Sequence, residues 1–417
     1  MIRVLHVFGT VALGGAESRI MDLYKHIDRT QVQFDFLVHC DPGKTGKRCP
    51  TSEELMKVRT PDYFDSLIKE LGGHIYCLPR FKGTNFIEYK IAAERFFASH
   101  EGIWTVVQGH MTSTASIYIP IAKKSGIRTT ITHVRSGGTD PGIKGVATNL
   151  LRKGLRKEGA VDYLFSCTKA AAISVYGQEL VDAKKVYIIP NAIDAGRFKY
   201  DEDTRNNLRR ELGLENSIVI GHVGRFHYAK NHEFLVKVFA ELVGMLSGGN
   251  LPDEYLLLKN LSPKLMLLGE GPLMDGVKSE VKDLGIEDNV LFMNNKKDVY
   301  NYYQAMDYFL FPSRYEGLPG TVVEAQASGL MCLVSDSVTQ EVDLTELVSR
   351  MSLNKSPREW ALKILSDLLP NDRSVLPLHD RVQSSDIVLD SIRSAGYDVS
   401  TQAEVMKKFY LNGSFEK

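Results

Sequence analysis

Residues 311–324 read Phe-Pro-Ser-Arg-Tyr-Glu-Gly-Leu-Pro-Gly-Thr-Val-Val-Glu, with two carboxylates flanking a Gly-rich turn. Glu316 falls in the loop that leaves an apolar, strand-like run, and Glu324 falls about one turn into the helix-period stretch that follows. Both can therefore face one ligand across the turn Gly317–Leu318, with the amides of Gly320 and Thr321 between them at a helix N-terminus. Carboxylates accept hydrogen bonds from hydroxyl groups, while amides and cations hold phosphate, so the pattern suits a ligand with hydroxyls at its ends and phosphate in its middle. A second cluster, Gly221-His-Val-Gly224 followed by Arg225 and then Lys230-Asn231, sets two cations and open helix-terminal amides at one strand end. That group would grip a diphosphate; solvated surface charge is the plainer alternative.

The first strand ends in Gly9-Thr-Val-Ala-Leu-Gly14-Gly15-Ala16-Glu17. The glycine spacing is wrong for a dinucleotide fingerprint, and Gly15 stands where a P-loop needs Lys. The segment is either a tight turn into a helix or an anion cradle at the helix start. Two histidines, His110 and His133, follow later strand ends. Histidine at such a position is commonly a hydrogen-bonded structural residue, and is otherwise a candidate to act on substrate.

The elements that must position these residues alternate. In the first half, strand-like runs Arg3–Phe8, Gln33–Val38, His74–Leu78, Thr105–Gln108, Thr129–Val134, Tyr163–Cys167 and Val186–Ile189 are separated by helix-period stretches. Such spacing requires crossovers and a parallel sheet, covered on both faces because the strands are apolar throughout. The pattern breaks at Pro190–Phe198 and restarts with strands Ile218–Val223, Leu265–Leu268, Val290–Met293, Tyr308–Phe311 and Met331–Val334. Gly-Gly-Asn-Leu-Pro at 248–252 reads as a surface insertion, and the chain beyond Ser335 reads as helical. The expectation is α/β: a doubly wound domain over 1–195, a second over 196–383, and a helical tail over 384–417. Ligands of such sheets lie beyond the carboxyl ends of the strands, where all the clusters above fall.

The chain has 417 residues, 43% hydrophobic and 24% charged, the profile of a globular protein of two or three domains. Fifty-one basic residues balance fifty-one acidic ones, which argues against a nucleic-acid binder. The balance conceals a split. Residues 1–195 carry 26 Lys and Arg against 19 Asp and Glu, and the remainder 25 against 32, so the halves stand at about +7 and −7. Five scattered cysteines form no paired spacing, consistent with reduced thiols in the cytoplasm. No apolar run approaches a membrane span, and the run Met1–Gly9 alternates like a strand with no h-region or cleavage site, so neither secretion nor a membrane span is expected.

Taken together, Gly14-Gly15-Ala16-Glu17, Pro190-Asn-Ala-Ile-Asp194, Val223-Gly-Arg-Phe226 with Lys230-Asn-His232, Leu268-Gly-Glu-Gly-Pro272 and Glu316 through Gly329 resemble the retaining glycosyltransferases of family 4. Within that family the chain is similar to bacterial exopolysaccharide and capsule enzymes. The resemblance implies the GT-B fold, two facing Rossmann-like domains with a donor cleft between them. It further implies that Glu324 holds the donor's ribose, that Glu316 lies near the donor sugar, and that Arg225 and Lys230 bind the diphosphate, with Gly14 and Gly15 capping it. Asn294, Gly317, Leu318, Gly320 and Thr321 would complete the nucleotide-sugar site. His110 would stand beside the transferred sugar, and His133 with Arg135 on the acceptor side.

The resemblance implies a cytoplasmic transferase using a nucleotide sugar, expected to be a UDP-sugar, with no cofactor and no divalent metal. The expected acceptor is a growing glycan on a polyprenyl diphosphate. Ala192 and Gly320 depart from the usual family residues, and the second of these leaves the donor sugar open. A helix through Lys144 and Arg152-Lys-Gly-Leu-Arg-Lys157, with Leu150, Leu151 and Leu155 opposite the cations, is either a solvated face or a contact with an anionic membrane surface. A nucleotide-sugar epimerase, a phosphorylase and a silent partner subunit are the rival functions for this fold.

Overall fold

The computed structural model describes residues 1–135, 143–248, 255, 258, 261–369 and 380–415. The chain divides into two compact units, 1–193 together with 398–417, and 194–397. The loop at 136–142 and residues 249–252 of the expected insertion lie outside the described residues.

The first unit is built on seven parallel strands, β1 (Ile2–Val7), β2 (Val32–Cys40), β3 (Ile75–Pro79), β4 (Val106–Gly109), β5 (Thr129–Val134), β6 (Tyr163–Ser166) and β7 (Val186–Ile188). Their order is β3-β2-β1-β4-β5-β6-β7. The order reverses between β1 and β4, where Val4 pairs with Val106 and Val7 with Gly109. A crevice therefore opens at the carboxyl ends of these two strands. The core on one side of the sheet gathers Val4, Phe34, Phe36, Val106 and Phe165 with Val399, Ala403, Met406, Phe409 and Tyr410 of the C-terminal helix Val399–Asn412.

The second unit carries β8 (Ser217–Val223), β9 (Ser262–Leu268), β10 (Val290–Asn294), β11 (Tyr308–Phe311), β12 (Met331–Ser335) and β13 (Val348–Met351), all parallel. The order β10-β9-β8-β11-β12-β13 reverses between β8 and β11. Both sheets thus have a switch point of the kind that binds ligands, and the Gly-rich and Glu-bearing segments leave it.

Three features depart from the sequence reading. The stretch beyond Ser335 contains the edge strand β13, which pairs with β12 from Cys332↔Val348 to Ser335↔Met351. The tail joins the first unit at Asp398 and not near Ser384, because helix Asp380–Ser394 is anchored in the second unit. There Arg381, 4% exposed, donates from Nε to the Ser328 carbonyl and from Nη1 to that of Met306. Finally, the basic helix ends at Lys153 and tightens into a 3₁₀ turn over Gly154–Arg156. That change of pitch turns Leu155 into the core at 2% exposed, while Leu150 stays 67% exposed beside Val146 at 70%. Arg152 is buried and its Nε donates to Thr112 Oγ1, while Lys153, Arg156 and Lys157 are exposed, Arg156 with its guanidinium donating to the Val175 carbonyl.

Candidate functional site

At the switch point of the second unit two loops are stitched together. The loop after β8 places Asn231 in the left-handed region (φ 56°), and its Nδ2 donates to the Pro312 carbonyl after β11. The Arg314 amide donates to the Ala229 carbonyl at 2.7 Å, and its guanidinium donates to the Tyr228 carbonyl and stacks over the Tyr228 ring. This bracing brings Lys230 Nζ to 2.7 Å from Glu316 Oε1 and to 4.7 Å above the centre of the Phe311 ring. The lysine stem runs over Gly224, where an added Cβ would meet Lys230 carbons at 3.2 Å and His222 Nε2 at 2.9 Å. Gly269, at φ +135°, lies against the Gly224 carbonyl so closely that a Cβ there would stand 2.1 Å from the oxygen. No side chain fits between these strand ends.

Glu324 is 5% exposed, and its Oε2 accepts from the Tyr303 hydroxyl at 3.0 Å. Tyr303 also donates to the Thr321 carbonyl, tying the helix Gly320–Ala327 to its carboxylate. That helix starts after Pro319 with no side-chain cap, and the buried Thr321 Oγ1 has no partner among the described residues. Its first amides remain available to an anion. Gly317 and Gly320 are half-buried in this turn and Leu318 is buried. Arg225 is exposed and forms no ion pair among the described residues. Asn294 ends β10 in a left-handed conformation (φ 56°), its carbonyl accepting from the Gly269 amide. Beneath Lys230, His222 and His232 pack edge to face at 4.8 Å. Burial, with Lys230 adding repulsion, drops His232 to about 3, and burial holds His222 well below its ordinary value.

The first unit's switch point is a different kind of site. His110 follows β4, and Arg135 follows β5. Arg135 Nε donates to His110 Nδ1 at 3.3 Å, which leaves the His110 proton on Nε2. That nitrogen faces His6 Nδ1 at 3.1 Å, so His6 carries its proton on a buried Nε2 with no partner among the described residues. Burial first, then the Arg135 charge, lowers His6 to about 3 and holds His110 far below neutrality. Arg135 Nη1 also donates to Asn191 Oδ1 at 2.6 Å. Burial pulls the Arg135 guanidinium down to about 10, still charged at neutral pH. His133 is 1% exposed, accepts from Gln108 Nε2, and is likewise kept neutral by burial. Gln108 in turn accepts from Tyr410 of the C-terminal helix at 2.6 Å. Gly14 is the extended residue before helix Gly15–His26, which has no side-chain cap.

Of the residues singled out in the sequence, Lys230 and Glu316 touch, as do Arg135 and His110. Both ring nitrogens of His110 are engaged by protein partners. The sequence reading gives no role of their own to Tyr303, Asn231, Arg314, His6 or Asn191. Asn231, Arg314 and Asn191 stand inside the motifs quoted above, whereas Tyr303 and His6 carry no such signal. Among the described residues no three His, Cys, Asp or Glu side chains gather as for a metal ion, and no helix is long and apolar enough to cross a membrane.

Comparison with known proteins agrees with this architecture. The sequence pattern of glycosyl transferases group 1 matches residues 204–353. EpsF of Bacillus subtilis (strain 168), a glycosyltransferase by name, is 30% identical over 363 residues, which is 86% of this chain and 86% of that protein. The chain belongs to the group 1 glycosyltransferases. Another relative of this glycosyltransferase is the UDP-Gal:α-D-GlcNAc-diphosphoundecaprenol α-1,3-galactosyltransferase of Escherichia coli, 32% identical over 160 residues, or 37% of this chain and 38% of that enzyme. Among solved structures, HepE of Anabaena in complex with UDP superposes with a TM-score of 0.69 at 16% identity, over 99% of this chain and 100% of that one. The glycosyltransferase thus has the two-domain, Rossmann-like GT-B fold.

Proposed function

We propose that this glycosyltransferase moves a hexosyl or N-acetylhexosaminyl group from a UDP-sugar to a growing lipid-linked glycan, with retention of anomeric configuration. The observation that carries the donor side is the 2.7 Å pairing of Lys230 with Glu316 beside an uncapped helix start and a buried, Tyr-held Glu324. Glu324 takes the ribose hydroxyls. Lys230 and Arg225 take the diphosphate and stabilise the charge that develops on it as the glycosyl bond breaks. Two cations do this work without a divalent metal. Glu316, released from Lys230 by the incoming phosphate, turns to the sugar hydroxyls.

Neither glutamate is assigned a covalent role. The departing phosphate can accept the acceptor's proton on the face it leaves, which preserves configuration. His110 is assigned an orienting role, supported by its neutrality and its two fixed ring nitrogens. The names of relatives support the substrate classes: HepE was solved with UDP, and the Escherichia coli relative is named for UDP-Gal and a diphosphoundecaprenol acceptor. The cytoplasmic face of an anionic membrane is the proposed place of work. The first half's charge of about +7, and exposed Lys153 and Lys157 beside Val146 and Leu150, support it.

Calorimetric titration with UDP, GDP and a panel of UDP-sugars tests the reading. UDP should bind with a Kd of about micromolar order, and Glu324→Ala should weaken it about tenfold or more. A folded protein that binds none of these nucleotides would be a silent subunit and not a transferase.

A further inference from the structure

Among the described residues, several buried guanidiniums are matched by carboxylates or backbone carbonyls. Arg59 meets Asp62 and Asp65, and Arg205 and Arg209 meet Asp307. Arg381 lacks a carboxylate but spends its N–H bonds on the carbonyls of Ser328, Met306 and Tyr303. Arg152 has two neutral acceptors, Thr112 Oγ1 and Asn149 Oδ1, and Arg135 is likewise without a carboxylate partner among the described residues. The Arg135 side chain is half-buried at the carboxyl end of β5, and burial lowers its guanidinium to about 10. Two of its five N–H bonds are used, one to His110 and one to Asn191, and both acceptors are neutral. They fix the direction of the fork, and among the described residues no carboxylate pairs with it. The other three N–H bonds have no acceptor among the described residues.

The charged groups whose fields reach it are few. Glu17 attracts it but forms no ion pair with it, its carboxylate turned back over Gly14 at the start of its own helix. Arg19, one turn into the same helix, repels it. Protein groups do not leave a desolvated guanidinium unneutralised without cost. An anion of at least two oxygens, reached from the carboxyl ends of β4 and β5, would satisfy the remaining N–H bonds.

We propose that Arg135 is the anchor of a phosphate site contained within the first unit, with a diphosphate ester as its ligand. The inference rests on the proposed transfer to a diphosphate-linked acceptor and identifies the side chain that would hold that acceptor's charged group. The same chemistry is offered by an isoprenoid diphosphate and by the nucleoside diphosphate of the donor, so the test must separate them.

Farnesyl diphosphate, a short isoprenoid diphosphate, and UDP are titrated separately into the full-length protein and its Arg135→Gln and Arg135→Lys variants, with thermal unfolding as the check on folding. The expected result is that Arg135→Gln weakens farnesyl diphosphate about tenfold to a hundredfold and leaves UDP unchanged. Loss of UDP affinity with farnesyl diphosphate unaffected would assign the same anchor to the donor. Arg135→Lys keeps the charge but not the fork, and should lie between wild type and Arg135→Gln. It also serves if Arg135→Gln does not fold. Folded variants with both affinities unchanged would overturn the proposal, as would a wild type that fails to bind farnesyl diphosphate together with UDP binding indifferent to Arg135. The sensitivity of UDP binding to Glu324→Ala reports on the second unit, and that of farnesyl diphosphate binding to Arg135→Gln on the first, so the donor reading and this one can fail separately.

Discussion

The two sheets reverse their strand order in the same way, yet the chemistry at their switch points is opposite in kind. In the second unit the charges are already paired: Lys230 lies against Glu316, and Glu324 is held by Tyr303. On the proposed donor reading a ligand there enters by exchange, its phosphate replacing one carboxylate and its hydroxyls occupying the other. In the first unit burial keeps His6, His110 and His133 neutral, and the guanidinium among them pairs with no carboxylate of the described residues. A ligand there enters by addition. Exchange sites discriminate, because a molecule lacking either the phosphate or the hydroxyls leaves a buried group unsatisfied. An addition site takes any anion that reaches it, and selectivity must come from what surrounds it.

The largest expected effect separates the units by stability. Phe409 is 1% exposed and sits in the first unit's core, so Phe409→Ala should cost about 3–5 kcal/mol. Scanning calorimetry should show a first-unit transition moved well down while UDP binding below that transition persists. A single transition that falls as one would mean the units do not unfold separately.

Next in size is the exchange pair. Lys230→Ala should lower the turnover of a UDP-sugar by about 10²–10³-fold. Adding Glu316→Gln to it should cost much less than the two single losses combined, because the pair acts as a unit. Fully additive losses in kcat would show that Lys230 and Glu316 serve the donor independently.

The smallest effect is the response to acid. His6, His39, His110 and His133 in the first unit are held neutral, against His222 and His232 in the second. Each has a folded pKa below its unfolded value of about 6.5, so the unfolded chain binds the proton first. Stability is therefore whole above about pH 6.5 and is lost as pH falls toward the folded values, about 3 for His6 and about 4 for His39. Each histidine contributes at most about 1.4 kcal/mol per pH unit in that window. Between pH 7.5 and 5.5 the first unit's transition should fall further than the second's. Equal shifts would remove the histidine burden as the distinguishing feature.

What the sequence displays depends on what each element buries. Strands such as Val4–Val7 and Tyr308–Phe311 are covered on both faces, so they read as apolar runs and are found within a residue or two. Strand β13, Val-Ser-Arg-Met, is a half-buried edge and leaves no such trace. Helix Glu202–Glu211 is likewise invisible to an apolar count, since what it buries is Arg205 and Arg209 against Asp307. At the candidate site, residues that would meet a ligand directly recur in recognisable short patterns. Those that hold them in place do not: His6 lies inside a strand and reads as one more alternating position, and Tyr303 as part of an aromatic run. The tail was read as ending its service to the second unit too early, because only the contacts of Arg381 reveal where helix Asp380–Ser394 belongs.

The return of helix Val399–Asn412 to the first unit has a consequence for synthesis. Met406, Phe409 and Tyr410 fill the core of a sheet whose strands leave the ribosome among the first 193 residues. The contiguous second unit can fold as it emerges. The first unit begins earlier and finishes last, waiting through the translation of its neighbour with one wall of its core open. The nascent protein must be sheltered during that interval, and a ribosome that stops before residue 398 releases a chain whose first half cannot close.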